Sequence, residues 1–397
     1  MSQQPIPTVG SIVFLIHIAV IVISWLKKRP IIIVLIILLL TGVFSARYIY
    51  GNSQRQKLES YTSTQKNHKD EKTEPITDIN FVKDQRFAAW VPWWDEDRVI
   101  TSLQNSHGAL QMISPVWYVL GPNGTLQENP TKQKEKIKDV AINSGIVILP
   151  TINNENGDVK DGFDPKRVSL LLNNKSLQQA FINNLTNVAN EQGFIGWDID
   201  WELKNKDEEL LFTEFIKDLS EQLHKNNLLL SVSVQAKTED DVKIGDTKGE
   251  NWTELSKYAD EVRIMAYDFH YDQSDPGSLT PLDDLETVLD YAVKVIPPNK
   301  IVLGIPLYGY DWGSKTESVQ FTDAIDRIQK NGGTYVRDTA SEELVGNYRQ
   351  LLDKHTVWFT DKTSVLRILY IASNYDVQKI SFWRLGGEDP EIWKLKQ

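Results

Sequence analysis

The sequence predicts an α/β protein, a (β/α)8 TIM barrel preceded by one or two N-terminal transmembrane helices. Three observations lead there. Two uncharged apolar runs open the chain, from residue 5 to 26 and from Ile31 to Ala46. From Arg86 onward, apolar strand-like runs alternate with amphipathic helical patterns. One of those runs, Gly193-Phe-Ile-Gly-Trp-Asp-Ile-Asp-Trp-Glu202, puts acids on one face and apolar side chains on the other.

In chain order, the two apolar runs are each near the minimum length for crossing a hydrocarbon core of about 30 Å. Lys27-Lys28-Arg29-Pro30 separates them. Such a basic cluster stays cytoplasmic, so a two-helix hairpin or a single span from Ile31 sends the rest of the chain outside. A cleaved signal peptide with Val43-Phe44-Ser45 near its cleavage site is a third reading and leaves the protein secreted. Two apolar core helices are the structural alternative. Residues 1–50 are thus expected to be a membrane anchor that makes the membrane a partner. Residues 51–85, rich in Lys, Gln, Ser, Thr and Asp, are expected to be a polar flexible linker.

Residues 86–397 carry the barrel pattern. Strands are expected at Phe87–Trp93, Gln111–Leu120, Gly145–Thr151, Phe194–Glu202, Leu228–Gln235, Glu261–Phe269, Lys300–Tyr308 and Lys379–Leu385. Helical periodicity is clearest at Lys132–Ile142, Ser176–Glu191, Lys206–His224, Pro281–Val295 and Ser364–Tyr375. A doubly wound open sheet competes, but no glycine-rich phosphate loop follows an early strand. Val319–Gln350 reads as an insertion of mixed strand and helix character between the last two strands.

Composition narrows the function classes. The net charge of −11 and the lack of a basic stripe argue against nucleic acid as a partner. With no cysteine there are no disulfides, thiolate metal sites or cysteine nucleophiles. Six histidines, none at metal-ligand spacing, point to neither a metal nor any other cofactor.

On a strand, Asp198, Asp200 and Glu202 share one face, and Trp197, Ile199 and Trp201 share the other. Three carboxyls spaced roughly 7 Å apart repel one another, which raises the pKa of at least one and lets it act as an acid near neutral pH. The bland alternative is a solvated acidic strand end. In a barrel, chemistry sits where strands end. Other strands end in Met265-Ala-Tyr-Asp-Phe-His270, Pro306-Leu-Tyr-Gly-Tyr310 and Ser381-Phe-Trp-Arg384, and Trp90, Trp93 and Trp94 follow the first strand. Aromatic faces suit the apolar faces of sugar rings, and carboxylates suit hydroxyls. Taken singly, each aromatic is equally a core residue.

These motifs together resemble the family 18 glycoside hydrolases, the chitinases and related N-acetylglucosaminidases. That family carries Asp-x-x-Asp-x-Asp-x-Glu on its fourth strand, where this chain reads Ile195-Gly-Trp-Asp198-Ile-Asp200-Trp-Glu202. The resemblance extends to Met265-Ala-Tyr267-Asp268, to Ile301–Tyr310 and to Trp383, and its C-terminal stretch Phe382–Trp393 is similar to the barrel of bacterial multidomain wall-glycan proteins. One departure is Ile195 at the first motif Asp, which alternation places on the face opposite the acids.

The resemblance implies a retaining hydrolase of β-linked N-acetylglucosamine-containing glycan, cell-wall polymer or chitin-like. It implies Glu202 as general acid and base, with Asp200 orienting the substrate's acetamide, Asp198 sharing a proton with Asp200, and Tyr267 bonding the acetamide oxygen. Asp268 and Trp383 are implied to bind sugar, and Tyr308, Tyr310, Trp90 and Trp93 to line the cleft. Two other readings stand beside it, a non-catalytic glycan-binding barrel and a platform for partner proteins.

Overall fold

Each apolar run has one face for a barrel interior and one for a covering helix, and the backbone closes accordingly. The computed structural model describes residues 76–157, 162–203, 206–239 and 249–397. Its strands are β1 (Arg86–Val91), β2 (Leu110–Pro115), β3 (Tyr118–Leu120), β4 (Leu126–Glu128), β5 (Val147–Ile148), β6 (Thr151–Asn153), β7 (Gly196–Asp200) and β8 (Leu229–Gln235). They continue with β9 (Glu261–Met265), β10 (Ile301–Pro306), β11 (Gly309–Trp312), β12 (Glu317–Val319), β13 (Thr334–Arg337), β14 (Leu344–Gln350), β15 (Asp353–Phe359) and β16 (Lys379–Trp383).

β1 pairs in parallel with both β2 and β16, which closes a barrel through β7, β8, β9 and β10. Two staves are interrupted. β2 is continued by β3, and β5 by β6, so that β2 pairs with β5 low in the barrel and β3 with β6 near its mouth. β6 then pairs with β7 in the register Thr151 to Asp198 and Asn153 to Asp200. Strand β4 adds an antiparallel hairpin to β3.

The helices are α1 (Phe81–Asp84), α2 (Glu96–Asn105), α3 (Lys134–Asn143), α4 (Pro165–Leu172), α5 (Lys175–Gln192), α6 (Glu209–His224), α7 (Trp252–Tyr258), α8 (Leu282–Val295), α9 (Phe321–Lys330) and α10 (Lys362–Asn374). Their starts follow capping chemistry. Asp164, Asn174 and Asn251 each accept a backbone N–H of the first turn, and Asp361 and Ser364 form a reciprocal capping box. Gly193 ends α5 at φ 71°, where a side chain would be strained.

β7 shows why its two faces differ. Trp197 donates its indole N–H to the Leu185 carbonyl of α5 at 2.9 Å, and Trp201 stacks on Phe215 of α6 at 5.1 Å. Both rings are at most 1% exposed. Each such ring buries about 150–250 Å², worth about 4–6 kcal/mol at about 25 cal/mol per Å². That outward anchoring turns the acids inward. The strand also enters at Gly196, with φ 153°, where an added Cβ would lie 1.9 Å from the Leu229 carbonyl oxygen.

The insertion is larger than Val319–Gln350. β12, β11, β15, β14 and β13 form a five-stranded antiparallel sheet, and α9 packs on it through Ala324 and Ile328, which meet Val357 and Phe359. The sheet returns the chain to α10.

The expected transmembrane helices require correction. Among the described residues no helix is long and apolar enough to cross a membrane, and the apolar runs within residues 1–50 lie outside the described residues. The membrane-anchored, extracytoplasmic placement and the membrane as a partner are withdrawn with them. Of the expected linker, residues 51–75 likewise lie outside the described residues, whereas α1 packs on the barrel with Val82 fully buried and Phe81 against Tyr370.

Gly196→Ala forces Cβ into the Leu229 backbone. The expected result is a loss of about 2 kcal/mol or more, read as a lower urea midpoint at unchanged slope.

Candidate active site

The inward row of β7 begins with Asp198, which is 0% exposed. Its Oδ2 accepts the Thr151 hydroxyl at 2.9 Å, the Ser233 hydroxyl at 3.1 Å and the Trp90 indole N–H at 3.2 Å. The neighbouring strands β6 and β8, and β1 from farther round the barrel, supply these donors. Asp200 follows, half-buried at the end of the strand. Burial pushes its carboxyl well above the usual range, and the charges of Asp198, Glu202, Glu250 and Glu155 push it further.

Glu202 lies just past β7 and is clamped by its backbone. Its N–H donates to Asn154 Oδ1 at 3.0 Å, and Asn154 Nδ2 donates back to its carbonyl at 3.3 Å. Gln235, at the end of β8, donates from Nε2 to Glu202 Oε1 at 3.2 Å. The Gln235 N–H donates in turn to Glu250 Oε2 at 2.9 Å. Burial raises Glu250 to about 8, an effect opposed by the Gln235 hydrogen bond and by Lys237 and reinforced by the Glu202 charge.

Tyr267 and Asp268 follow the end of β9 at Met265. Burial raises the Tyr267 phenol far above its ordinary value, followed by the Asp200 and Asp268 charges, so it stays a neutral donor. Gly304 on β10 makes room for this ring, since a Cβ there would lie 3.0 Å from Tyr267 Cε1 and 2.7 Å from the Ile264 carbonyl oxygen. Asp268 takes the left-handed conformation at φ 58°, and the Tyr308 hydroxyl donates to it. Burial lifts Asp268 to about 6, while hydrogen bonds from Tyr308 and Tyr310 pull it down.

The aromatics divide into two sets. Trp383 ends β16 half-buried with its edge toward Trp90 at 6.0 Å, and Tyr310 is half-buried beside Tyr308 at 5.6 Å. Trp93 is half-buried and meets Trp94 edge-on at 5.8 Å. Trp90 and Tyr308 do not offer sugar-stacking faces. They are 1% and 4% exposed, and each spends its polar atom on a carboxylate, Trp90 on Asp198 and Tyr308 on Asp268. Both rings support the acids from inside the barrel.

The strand ends thus bring Asp198, Asp200, Glu202, Tyr267 and Asp268 to one mouth. Residues not singled out from the sequence support them: Thr151, Asn154, Ser233, Gln235 and Glu250, with Arg263 deeper in the barrel. Period-two polar alternation was the signal for Ser233, Gln235 and Arg263. Leu229–Gln235 alternates Ser231, Ser233 and Gln235 with apolar residues, and Glu261–Met265 puts Arg263 between Val262 and Ile264. Among the described residues no group of acids and histidines could hold a metal ion.

Glu250 carries a pH signature. Its folded pKa, about 8, exceeds the ordinary 4.5. Folding therefore takes up a proton between those values, and stability falls as pH rises through them. Glu250→Gln cannot ionise, so its urea midpoint relative to wild type is expected to rise steadily from acid to mildly alkaline pH.

The geometry has counterparts. The model of the glycosyl hydrolases family 18 matches residues 60–388. The uncharacterized glycosylase YvbX of Bacillus subtilis is 29% identical over 74% of this chain and 86% of its own length. The cortical fragment-lytic enzyme of Bacillus subtilis is 25% identical over 74% of this chain and 70% of its own. The crystal structure of the chitinase from Chromobacterium violaceum superposes with a TM-score of 0.71 at 25% identity, covering 79% of this chain and 98% of that one. The chain belongs to the glycosyl hydrolases of family 18.

Proposed function

We propose that this glycosyl hydrolase cleaves β-linked N-acetylglucosamine-containing glycan, chitin-like or cell-wall polymer, with retention and with the substrate's own acetamide as nucleophile. The observation that carries the reading is the inward pair Asp198 and Asp200 on β7, Glu202 just past it, and Tyr267 near enough for the Asp200 charge to act on its phenol. Glu202, held by Asn154 and Gln235, donates a proton to the glycosidic oxygen as the leaving sugar departs. The acetamide carbonyl oxygen attacks the anomeric carbon and closes an oxazolinium ring, Asp200 accepts the acetamide N–H and orients it, and the single negative charge of the Asp198–Asp200 pair offsets the growing positive charge. The Tyr267 hydroxyl donates to the acetamide oxygen. Glu202, now ionised, takes a proton from the incoming water, which opens the ring from the face the leaving group vacated. Asp268, Trp383, Tyr310 and Trp93 contact the sugars, Trp383 as the floor beneath the reacting ring.

Chitinase and cortical fragment-lytic enzyme among the relatives support an acetamido-sugar substrate. Asp198 supports it as well, because a buried acceptor fed by donors from three other strands leaves Asp200 the member of the pair that meets substrate.

Mass-spectrometric product analysis on acetylated and deacetylated glucosamine oligomers is the test. Cleavage of the acetylated set alone is expected, with a loss of at least about 100-fold in kcat for Glu202→Gln. Equal cleavage of both sets removes the acetamide from the mechanism. Undiminished turnover by Glu202→Gln removes the acid, and binding without cleavage of either set overturns the reading.

A further inference from the structure

Below the cleft, charges alternate in sign across strands β16, β9 and β7, from a half-buried Lys379 to the buried Arg263 and Asp198. Lys379 Nζ lies 3.0 Å from Glu261 Oε1, and Glu261 Oε2 lies 3.3 Å from Arg263 Nη2. Arg263 Nε lies 3.9 Å from Asp198 Oδ1, and both of those side chains are 0% exposed. Arg263 is fixed along its length. Its Nη1 donates to the Ser114 hydroxyl at 2.6 Å, its Nη2 contacts Met112 Sδ at 3.1 Å, and its guanidinium lies over the Trp90 ring at 5.6 Å. Its Nε makes no hydrogen bond among the described residues, so what Arg263 brings to Asp198 is charge rather than a proton donor.

We propose that Arg263 is a positioning residue for the reaction: its fixed charge beside Asp198 keeps that carboxylate ionised and leaves the proton of the Asp198–Asp200 pair on Asp200. This deepens the proposed mechanism and rests on it for the role of Asp200. The alternation carries the argument. Lys379, Glu261, Arg263 and Asp198 sum to zero only with Asp198 ionised, and a guanidinium does not give up its proton in a protein. The groups hydrogen-bonded to Asp198, from Trp90, Thr151 and Ser233, all donate, which favours the ionised form again. Asp200 has the opposite surroundings. The charges that act on it, Asp198, Glu202, Glu250 and Glu155, are all acidic. A second negative charge there has no compensation, so the proton stays on Asp200, whose other oxygen accepts the acetamide N–H.

The experiment compares the full chain with Arg263→Gln and Arg263→Lys, using the pH profile of kcat on acetylated glucosamine oligomers and a carboxyl-carbon NMR titration of aspartate-labelled protein. Asp198→Asn and Asp200→Asn assign the two signals. In Arg263→Gln the acid limb of kcat is expected to move up by about 1–3 pH units, with KM little changed, and Arg263→Lys to bring it back toward wild type. A purely structural role would lower the melting temperature and leave the limb in place, and that result overturns the proposal. The wild-type titration decides it even where Arg263→Gln does not fold. Asp198 ionised and Asp200 protonated at neutral pH is expected, and the reverse overturns it. A wild type that cleaves no acetylated oligomer while showing the expected titration sinks the substrate reading and leaves the Arg263 assignment standing.

Discussion

The constraint on which the structure depends is a carboxylate, Asp198, held without solvent exposure inside the barrel. An unpaired charge in that position is costly, and removing the partner of a buried pair typically costs about 3–5 kcal/mol. The fold meets this demand from several staves at once, with Trp90 from β1, Thr151 from β6, Ser233 from β8 and Arg263 from β9. Barrel closure and the acid's environment are therefore one problem. Without β16 beside β1, Trp90 would not reach across to the β7 acid.

The same economy of space governs the rest of the mouth. β7 turns its acids inward because Trp197 and Trp201 bury themselves against α5 and α6, and it enters through a glycine whose backbone runs against Leu229. Tyr267 lies over Gly304 for a similar reason, since any larger residue on β10 would displace its ring. Asp268 is turned to a left-handed backbone and met by the hydroxyls of Tyr308 and Tyr310, which restrain a carboxyl that burial alone would raise further.

The insertion extends one side of this frame. Its Glu343 is fully buried and accepts the backbone N–H groups of Leu279 and Thr280 just before α8, while Arg337 pairs with Asp361 at the cap of α10. Within the insertion, Asp311 is met by Arg327, by the Tyr348 hydroxyl and by the His355 ring. Strand alternation along β11 sends Asp311 to that network and leaves its neighbour Tyr310 beside Tyr308. One short strand thus serves the insertion's interior with one face and the candidate site with the other.

The order of elements was legible in the sequence because each stave of a barrel carries its own period-two pattern and each covering helix its own apolar stripe. The acids of β7 were legible for the same reason, as were Tyr267, Asp268 and Trp383 at strand ends. The insertion was read too short, since β11 begins three residues after β10 ends and reads as its continuation, and β12 and β15 carry few fully buried positions. The carboxylate partners of Trp90 and Tyr308 were not legible, because a ring at a strand end looks alike whether it faces a ligand or a neighbouring carboxylate. By itself, then, the sequence determined which side chains each strand turns to the interior, a local consequence of backbone alternation. Which of them meet was decided only by the tertiary structure. Register between staves distant in the chain brings Arg263 beside Asp198 and Gln235 between Glu202 and Glu250, and no single segment encodes that register.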